Sequence, residues 1–156
     1  MIERTRVLFV CLGNICRSPT VAAVARVEFA RVGIAVEVDS AGTEDYHVGA
    51  SADRRSIAIA EANGYPLASH RARQVCAADF SRFDHLLVMD RINHRALLDI
   101  APKAARERVA LFLPFAGIDG PVELPDPYYG GQADFQRALD LARDGIGALI
   151  ERLSGS

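Results

Sequence analysis

The segment from Cys11 to Arg17 combines a thiol, a guanidinium group and two residues that permit unusual backbone angles. Five residues separate Cys11 from Arg17, which is enough chain to wrap the backbone around one tetrahedral anion. Gly13 and Asn14 tolerate left-handed backbone angles, and such turns aim successive N–H groups inward as an anion-binding nest. Arg17 can add a bidentate fork to two oxygens of the same anion. The segment therefore predicts a loop that binds a phosphate-like group.

The same features favour a reactive sulfur at the base of this loop. Ser18 and Pro19 predict the start of a helix, with Ser18 as its N-cap and Pro19 in its first turn. A helix N-terminus and a nearby cation stabilise a thiolate, and the Ser18 hydroxyl can donate a hydrogen bond to Cys11. Lys103 is the only lysine and lies elsewhere in the chain, so a Walker-type loop for nucleotide γ-phosphate transfer is not expected.

The flanking sequence predicts the elements that position this loop. Residues 7–10 are a continuous apolar run, typical of a strand buried on both faces. Apolar residues at helical spacing follow Ser18, and Gly33 ends that helix. For Cys11 and Arg17 taken alone, a buried structural cysteine and an ordinary ion pair are the alternative interpretation. The strand before the loop and the helix after it favour the anion-binding loop.

The rest of the chain alternates strands with helices, which implies a parallel sheet with right-handed crossovers. Ligands bind beyond the carboxyl ends of the strands in such sheets, which is where the Cys11 loop begins. Residues 113–131 hold four prolines and predict a functional surface loop. The expected strands are residues 34–38, 85–89 and 108–112, and the expected helices are residues 53–64, 90–101 and 133–153.

Length and composition limit the possible classes of protein. A chain of 156 residues is expected to form a single domain over residues 1–156. Its net charge of −2 argues against a general nucleic-acid binder. The apolar run after residues 1–6 is too short for a signal peptide or a membrane helix. Three cysteines do not make a secreted disulfide framework, so we expect a cytoplasmic protein with reduced thiols. No pair of the four histidines has metal-ligand spacing, so neither a metal nor another cofactor is predicted.

Several motifs resemble, in the same order along the chain, those of the low-molecular-weight protein tyrosine phosphatases. They are residues 7–19, Asp39-Ser40-Ala41-Gly42-Thr43, Ser69-His70-Arg71-Ala72-Arg73, Val88-Met89-Asp90 with Asn93, and Pro125-Asp126-Pro127-Tyr128-Tyr129. With the length and the final helix, the resemblance covers essentially the whole chain. It implies an α/β fold of the phosphotyrosine protein phosphatase I type, a doubly wound four-stranded parallel sheet with helices on both faces.

The resemblance also implies a chemical role for three residues. Cys11 would attack phosphorus and form a phosphocysteine intermediate, while Arg17 and the loop amides would bind the phosphoryl oxygens. Asp126 would protonate the leaving phenolate and then activate water. By residue type alone, residues 125–127 are equally consistent with a simple turn. The other members of the phosphate loop (residues 11–18) that would bind phosphate are Leu12, Gly13, Asn14, Ile15, Cys16 and Ser18.

Supporting residues are carried over in the same way. Asn14, Ser40 and His70 would hold the phosphate loop in its strained shape by hydrogen bonds; a surface histidine is the alternative for His70. Asp90 is expected first as a helix N-cap and second as a group that orients Arg17.

The pocket walls favour an aryl phosphate. Tyr46, Tyr128 and Tyr129, with Leu12, would form a slot deep enough for a phosphotyrosyl ring; ordinary loop tyrosines are the alternative. Ile15 also favours phosphotyrosine, because members that resemble arginine phosphatases tend to have threonine at that position.

Cys16 suggests a redox hypothesis: a reversible disulfide with Cys11 would protect the nucleophile from over-oxidation. A small buried residue is the alternative. An arsenate reductase of the same fold would need two more cysteines after the third strand, whereas Cys76 stands alone before it. A non-catalytic phosphosite-binding module or a phosphocysteine carrier is a further alternative. The expected partner is a tyrosine-phosphorylated protein, such as an autophosphorylating tyrosine kinase of the bacterial type, with no nucleic-acid or membrane partner.

Overall fold

The structure is a computed structural model that describes residues 4–155. Residues 1–3 and residue 156 lie outside the described residues. The N-terminal segment for which no signal peptide is predicted begins with residues 1–3. Four parallel strands form one sheet in the order β2-β1-β3-β4. The strands are β1 (Thr5–Cys11), β2 (Val36–Gly42), β3 (His85–Val88) and β4 (Val109–Leu111). The helices are α1 (Arg17–Arg31), α2 (Arg54–Ala62), α3 (Ala77–Arg82), α4 (Arg91–Ile100), α5 (Phe112–Ala116) and α6 (Gln132–Ser154).

Strand β1 is buried on both sides because helices cover both faces of the sheet. Val7, Phe9 and Cys11 face the core that α1 and α6 help to form, whereas Leu8 and Val10 face the core shared with α3 and α4. This two-sided burial explains the continuous apolar run in β1. The predicted doubly wound α/β fold is confirmed.

The chain order creates a switch point beside β1. Strand β1 pairs with β2 on one edge and with β3 on the other. The first crossover therefore runs from β1 to β2 on one side, and the next runs from β2 back past β1 to β3 on the other side. A crevice opens at the carboxyl end of a strand in this position. The phosphate loop lies there, between the end of β1 and the start of α1.

Several predicted boundaries were wrong. Helix α1 begins at Arg17, and Ser18 is not its N-cap, because the Ser18 hydroxyl faces the Cys11 sulfur from inside the helix. Strand β2 comprises residues 36–42 rather than 34–38, since its pairing with β1 continues as far as Gly42. Phe112 begins α5 instead of ending β4, and its ring packs edge-on against Phe9 at 5.4 Å.

Three short elements were not predicted at all. They are α3, α5 and a 3-10 turn at Lys103–Arg108. Each has five or six residues, too few for a helical period to emerge from the sequence. Among residues 4–155, no helix combines the length and apolar character needed to cross a bilayer.

Candidate active site

Three backbone hydrogen bonds from two neighbouring segments hold the phosphate loop. The Thr43 and Glu44 N–H groups donate to the carbonyls of Cys11 and Leu12 at 2.8 and 3.0 Å, and the Asp53 N–H donates to Ile15 at 2.8 Å. Gly42 allows this close approach, because a Cβ there would lie 2.6 Å from the Leu12 carbonyl oxygen. The end of β2 therefore supports the loop directly.

Asn14 is the centre of the loop's internal hydrogen bonding. It is fully buried and, with φ of 59°, is the only non-glycine residue among residues 4–155 in the left-handed region. Its side-chain amide donates to Ser18 Oγ (2.8 Å) and Ser40 Oγ (3.0 Å), and its Oδ1 accepts from the Arg73 N–H (2.9 Å). His70 Nε2 lies 2.8 Å from the Asn14 carbonyl oxygen, which can only accept, so Nε2 carries the proton. Together these contacts offset the cost of the strained backbone.

The Cys11 sulfur is buried at the base of the loop, 3.0 Å from Ser18 Oγ. Ser18 has one hydroxyl hydrogen and already accepts from Asn14. That hydrogen can point to Cys11 Sγ or to the Ala41 carbonyl, which is farther away at 3.4 Å. The shorter distance favours donation to sulfur, which stabilises a thiolate.

Arg17 enters the loop from the first turn of α1, with only 4% of its side chain exposed. Its Nη1 donates to Asp90 Oδ2 at 2.7 Å and to the Leu124 carbonyl at 3.1 Å. Asp90 also caps α4 by accepting from the Asn93 N–H at 2.8 Å, so both expectations for it are met geometrically. Burial lowers the pKa of Arg17, but the charges of Cys11 and Asp90 outweigh it and raise that pKa above its ordinary value. The guanidinium is therefore a fixed cation.

Asp126 approaches from the opposite side. Its Oδ2 lies 3.7 Å from Arg17 Nη2, and its Oδ1 accepts from the Tyr128 N–H at 3.1 Å. The side chain is 44% exposed, in contrast to the buried Arg17. A proline-rich turn thus brings one carboxylate to the mouth of the loop.

A pocket of about 360 Å³ joins these groups. The Tyr128 and Tyr129 rings meet edge to face, with centroids 4.9 Å apart. The lining includes every predicted wall residue and one that sequence reasoning missed, His47. Gly13 does not use the left-handed region, but it leaves room for His47, whose Cδ2 would lie 2.9 Å from a Cβ there. The residues that line the pocket are Cys11, Leu12, Gly13, Ile15, Cys16, Arg17, Tyr46, His47, Asp126, Tyr128 and Tyr129.

The three cysteines are free thiols in different surroundings. Burial, followed by the negative charge of Asp53, raises the pKa of Cys16 to about 12. Cys76 is exposed and lies at the N-terminus of α3, outside the pocket lining. Within residues 4–155, no three His, Cys, Asp or Glu side chains come together as a metal site.

An anion-binding loop with a buried thiol, at the switch point of a doubly wound sheet, is typical of enzymes that attack a phosphoryl group with sulfur. Sequence comparison identifies the family more closely. The family described as low molecular weight phosphotyrosine protein phosphatase matches residues 6–156. The chain therefore belongs to that family.

Relatives and solved structures agree with this assignment. A putative low molecular weight protein-tyrosine-phosphatase of Synechocystis is 42% identical over 151 residues, which cover 95% of this chain and 96% of the relative. The low molecular weight phosphotyrosine protein phosphatase of Homo sapiens is 40% identical over 136 residues, covering 83% and 84%. A crystal structure of a protein tyrosine phosphatase from Entamoeba histolytica superposes with a TM-score of 0.91 at 37% identity, covering 97% of each chain.

Proposed function

We propose that this protein hydrolyses phosphotyrosine monoesters through a covalent phosphocysteine, with Cys11 as nucleophile and Asp126 as general acid and base. The observation that carries the proposal is the meeting of Cys11, Arg17 and Asp126 in one tyrosine-walled pocket. Nucleophile, fixed cation and proton donor are what phosphoryl transfer requires when no metal takes part.

In the first step, the Cys11 thiolate attacks phosphorus. A sulfur–phosphorus bond forms, and the bond from phosphorus to the phenolic oxygen breaks. Asp126 gives its proton to that oxygen, so tyrosine leaves as the neutral phenol. Arg17 and the converging loop amides neutralise the charge on the three peripheral oxygens throughout the step.

In the second step, water replaces sulfur. The Asp126 carboxylate takes a proton from a water molecule as its oxygen attacks phosphorus, and the sulfur–phosphorus bond breaks. Inorganic phosphate and the Cys11 thiolate are the products, and Asp126 is protonated for the next cycle. The 44% exposure of Asp126 supports this role, because the attacking water must reach it from solvent.

The shape of the pocket supports an aryl ester as the substrate. Leu12 and the three tyrosines surround the path to Cys11, which is only 3% exposed. A phosphotyrosyl ring spans this depth and contacts aromatic walls on the way. Phosphoserine is shorter and would leave its phosphorus short of the sulfur.

We further propose that the physiological partner is a tyrosine-phosphorylated protein in the cytoplasm, such as an autophosphorylating tyrosine kinase of the bacterial type. Three free thiols are compatible with a reducing compartment. An arsenate reductase relay is less favoured, because Cys76 lies at the N-terminus of α3 and is absent from the pocket lining.

The decisive experiment compares the wild type with Cys11→Ser. We expect the wild type to hydrolyse a phosphotyrosyl peptide far faster than the matching phosphoserine peptide. We expect Cys11→Ser to lose turnover by about 10⁵–10⁶-fold, the usual cost of removing a catalytic nucleophile, while it still binds the phosphotyrosyl peptide.

Rapid acid quenching during turnover of a ³²P-labelled substrate should trap the label on the peptide that contains Cys11. Binding without turnover in the wild type would support a binding module instead, and thioredoxin-dependent arsenate reduction would support the reductase. A pull-down from the native host with Cys11→Ser would identify the phosphoprotein.

A further inference from the structure

Arg55, the second residue of α2, contacts the segment that carries Asp126. The two oxygens of Asp53, the α2 N-cap, accept from Arg55 Nε at 3.0 Å and from Nη2 at 2.9 Å. Nη2 also donates to the carbonyl of Tyr128 at 3.0 Å. The Arg55 guanidinium is therefore held by a bidentate ion pair while it reaches across to the loop of the general acid.

The same short segment also contacts the phosphate loop. The Asp53 N–H donates to the Ile15 carbonyl at 2.8 Å. The Arg55 guanidinium lies over the ring of Phe135 in α6, with its carbon 4.4 Å from the ring centroid. The side-chain hydrogen bond from Arg55 lowers the pKa of Asp53, so the ion pair remains charged at neutral pH. The Arg55–Asp53 ion pair thus connects the segment that carries Asp126 to the phosphate loop that carries Cys11.

The Tyr128 backbone is the link to the acid itself. Its N–H donates to Asp126 Oδ1 at 3.1 Å, and its carbonyl accepts from Arg55. The Arg55 guanidinium also lies 5.6 Å from the Tyr128 ring centroid. Asp126 is 44% exposed, so this backbone contact, together with the 3.7 Å approach to Arg17, restrains where its carboxyl group points.

We propose that Arg55 is a positioning residue for the reaction, which fixes the Tyr128 backbone and thereby aims the Asp126 carboxyl group at the leaving oxygen. The inference rests on the proposed role of Asp126 as the general acid. Arg55 does not line the pocket, so its loss is expected to affect proton delivery and to leave phosphate binding intact. Misplacement of a catalytic group by about 1 Å costs on the order of 10²-fold in rate.

The test uses leaving groups of different acidity. Phenyl phosphate releases a basic phenolate that needs a proton, whereas 2,4-dinitrophenyl phosphate releases a stable anion that does not. The kinetic constant to compare is kcat/KM, which reports the steps up to release of the phenol. We expect Arg55→Ala to lower kcat/KM for phenyl phosphate roughly 10–100-fold, and for the dinitrophenyl ester less than about 3-fold.

Matched variants separate this effect from a structural one. Arg54→Ala removes the neighbouring exposed arginine, which forms none of the ion pairs found among residues 4–155, and should change both constants less than about 2-fold. Arg55→Lys keeps the charge but loses the fork, so its loss on phenyl phosphate should be intermediate. In an Asp126→Ala background, Arg55→Ala should cost little more, because its effect passes through the acid.

Equal losses on both substrates, or no loss with either Arg55→Ala or Arg55→Lys, would overturn the proposal. Full additivity with Asp126→Ala would overturn it as well. The role of Asp126 is checked separately: if Asp126→Ala is itself insensitive to the leaving group, the general-acid assignment fails and the Arg55 inference fails with it. If Asp126→Ala is sensitive and Arg55→Ala is not, only the Arg55 inference fails.

Discussion

The phosphate loop and the acid loop (residues 124–131) meet in one pocket, yet they are built in opposite ways. In the phosphate loop, Asn14 and Ser18 are fully buried and bond to each other and to the neighbouring strand β2. In the acid loop, Asp126 is 44% exposed and Tyr129 is 97% exposed. Few contacts hold the acid loop, chiefly those of the Leu124 and Tyr128 backbones.

The difference fits the role that we propose for each loop. Converging N–H groups, as proposed for the phosphate loop, repel one another unless an anion is present, so such a nest keeps its shape only if buried partners over-determine it. A general acid has to exchange protons with water, and the loop that carries it has to let a bulky substrate into the pocket. Both functions need solvent access. Substitutions should therefore cost activity and stability together in the phosphate loop, but activity alone at the exposed residues of the acid loop.

Among the substitutions that compare the two loops, the largest expected effect is on catalysis, in the acid loop. Asp126→Ala should slow hydrolysis of a phosphotyrosyl peptide by about 10²–10⁴-fold, and hydrolysis of 2,4-dinitrophenyl phosphate far less, because an acidic leaving group needs no proton. The free energy of unfolding should change by less than about 0.5 kcal/mol, as for other exposed sites. Steady-state kinetics and urea titration measure the two quantities. Equal rate losses on both substrates would remove Asp126 from the acid role.

The matching substitution in the phosphate loop should cost stability as well. Asn14→Ala leaves the Arg73 N–H without its partner and places alanine at a left-handed position, so we expect a loss of about 2–4 kcal/mol. Urea titration measures it, and kcat/KM should fall because the loop amides no longer converge. Asn63→Ala, at the exposed end of α2, is the control and should cost well under half as much. Similar losses at both asparagines would show that the phosphate loop is not unusually rigid.

A smaller effect is expected from pH. Burial lowers the pKa of His70 below its ordinary value of 6.5, despite the hydrogen bond to Asn14. The unfolded chain therefore takes up a proton near pH 6.5, whereas the folded chain does so only at lower pH. The free energy of unfolding should fall as pH drops below about 6.5, and the contribution of His70 is fully present above it.

Thermal denaturation of His70→Gln between pH 5 and 8 tests this assignment. In this variant the melting temperature should depend less on pH. Some pH dependence should remain because burial also lowers the pKa of His85. His94→Gln, on α4, is the control for a histidine that makes no bond to the phosphate loop. If both variants keep the full pH dependence, the phosphate loop is not the source.

The smallest effect concerns Cys16 and requires no substitution. A thiol whose pKa is raised to about 12 is almost entirely protonated at pH 7.5, so iodoacetamide should modify exposed Cys76 and spare Cys16 in the native protein. The redox hypothesis requires Cys16 to capture oxidised Cys11 as a disulfide after mild peroxide, with release of water, and the raised pKa of Cys16 should make this capture slow. Peptide mass spectrometry measures both outcomes. Sulfonated Cys11 without any such disulfide would end the redox hypothesis.

Local signals were enough to predict much of the fold. The apolar run of residues 7–10 predicts a strand buried on both faces, and apolar residues at helical spacing predict the long helices. The order of the long elements and the parallel sheet could therefore be predicted. The short elements could not, because five or six residues do not establish a period. Ser18 was mispredicted for a different reason. Its residue type favours an N-cap, but its contact with the Cys11 sulfur places it inside the helix.

For the site, the sequence alone predicted the phosphate loop, because the proposed nucleophile, the turn residues, the arginine and the helix start lie within eight consecutive positions. Only the tertiary structure decided that Asp126 faces Arg17 across 109 positions of chain, that His70 bonds to Asn14, and that Arg55 holds the Tyr128 carbonyl. Those contacts depend on where the sheet ends its strands and how the loops fold over that edge. Residue types permit such long-range contacts, but packing selects among them.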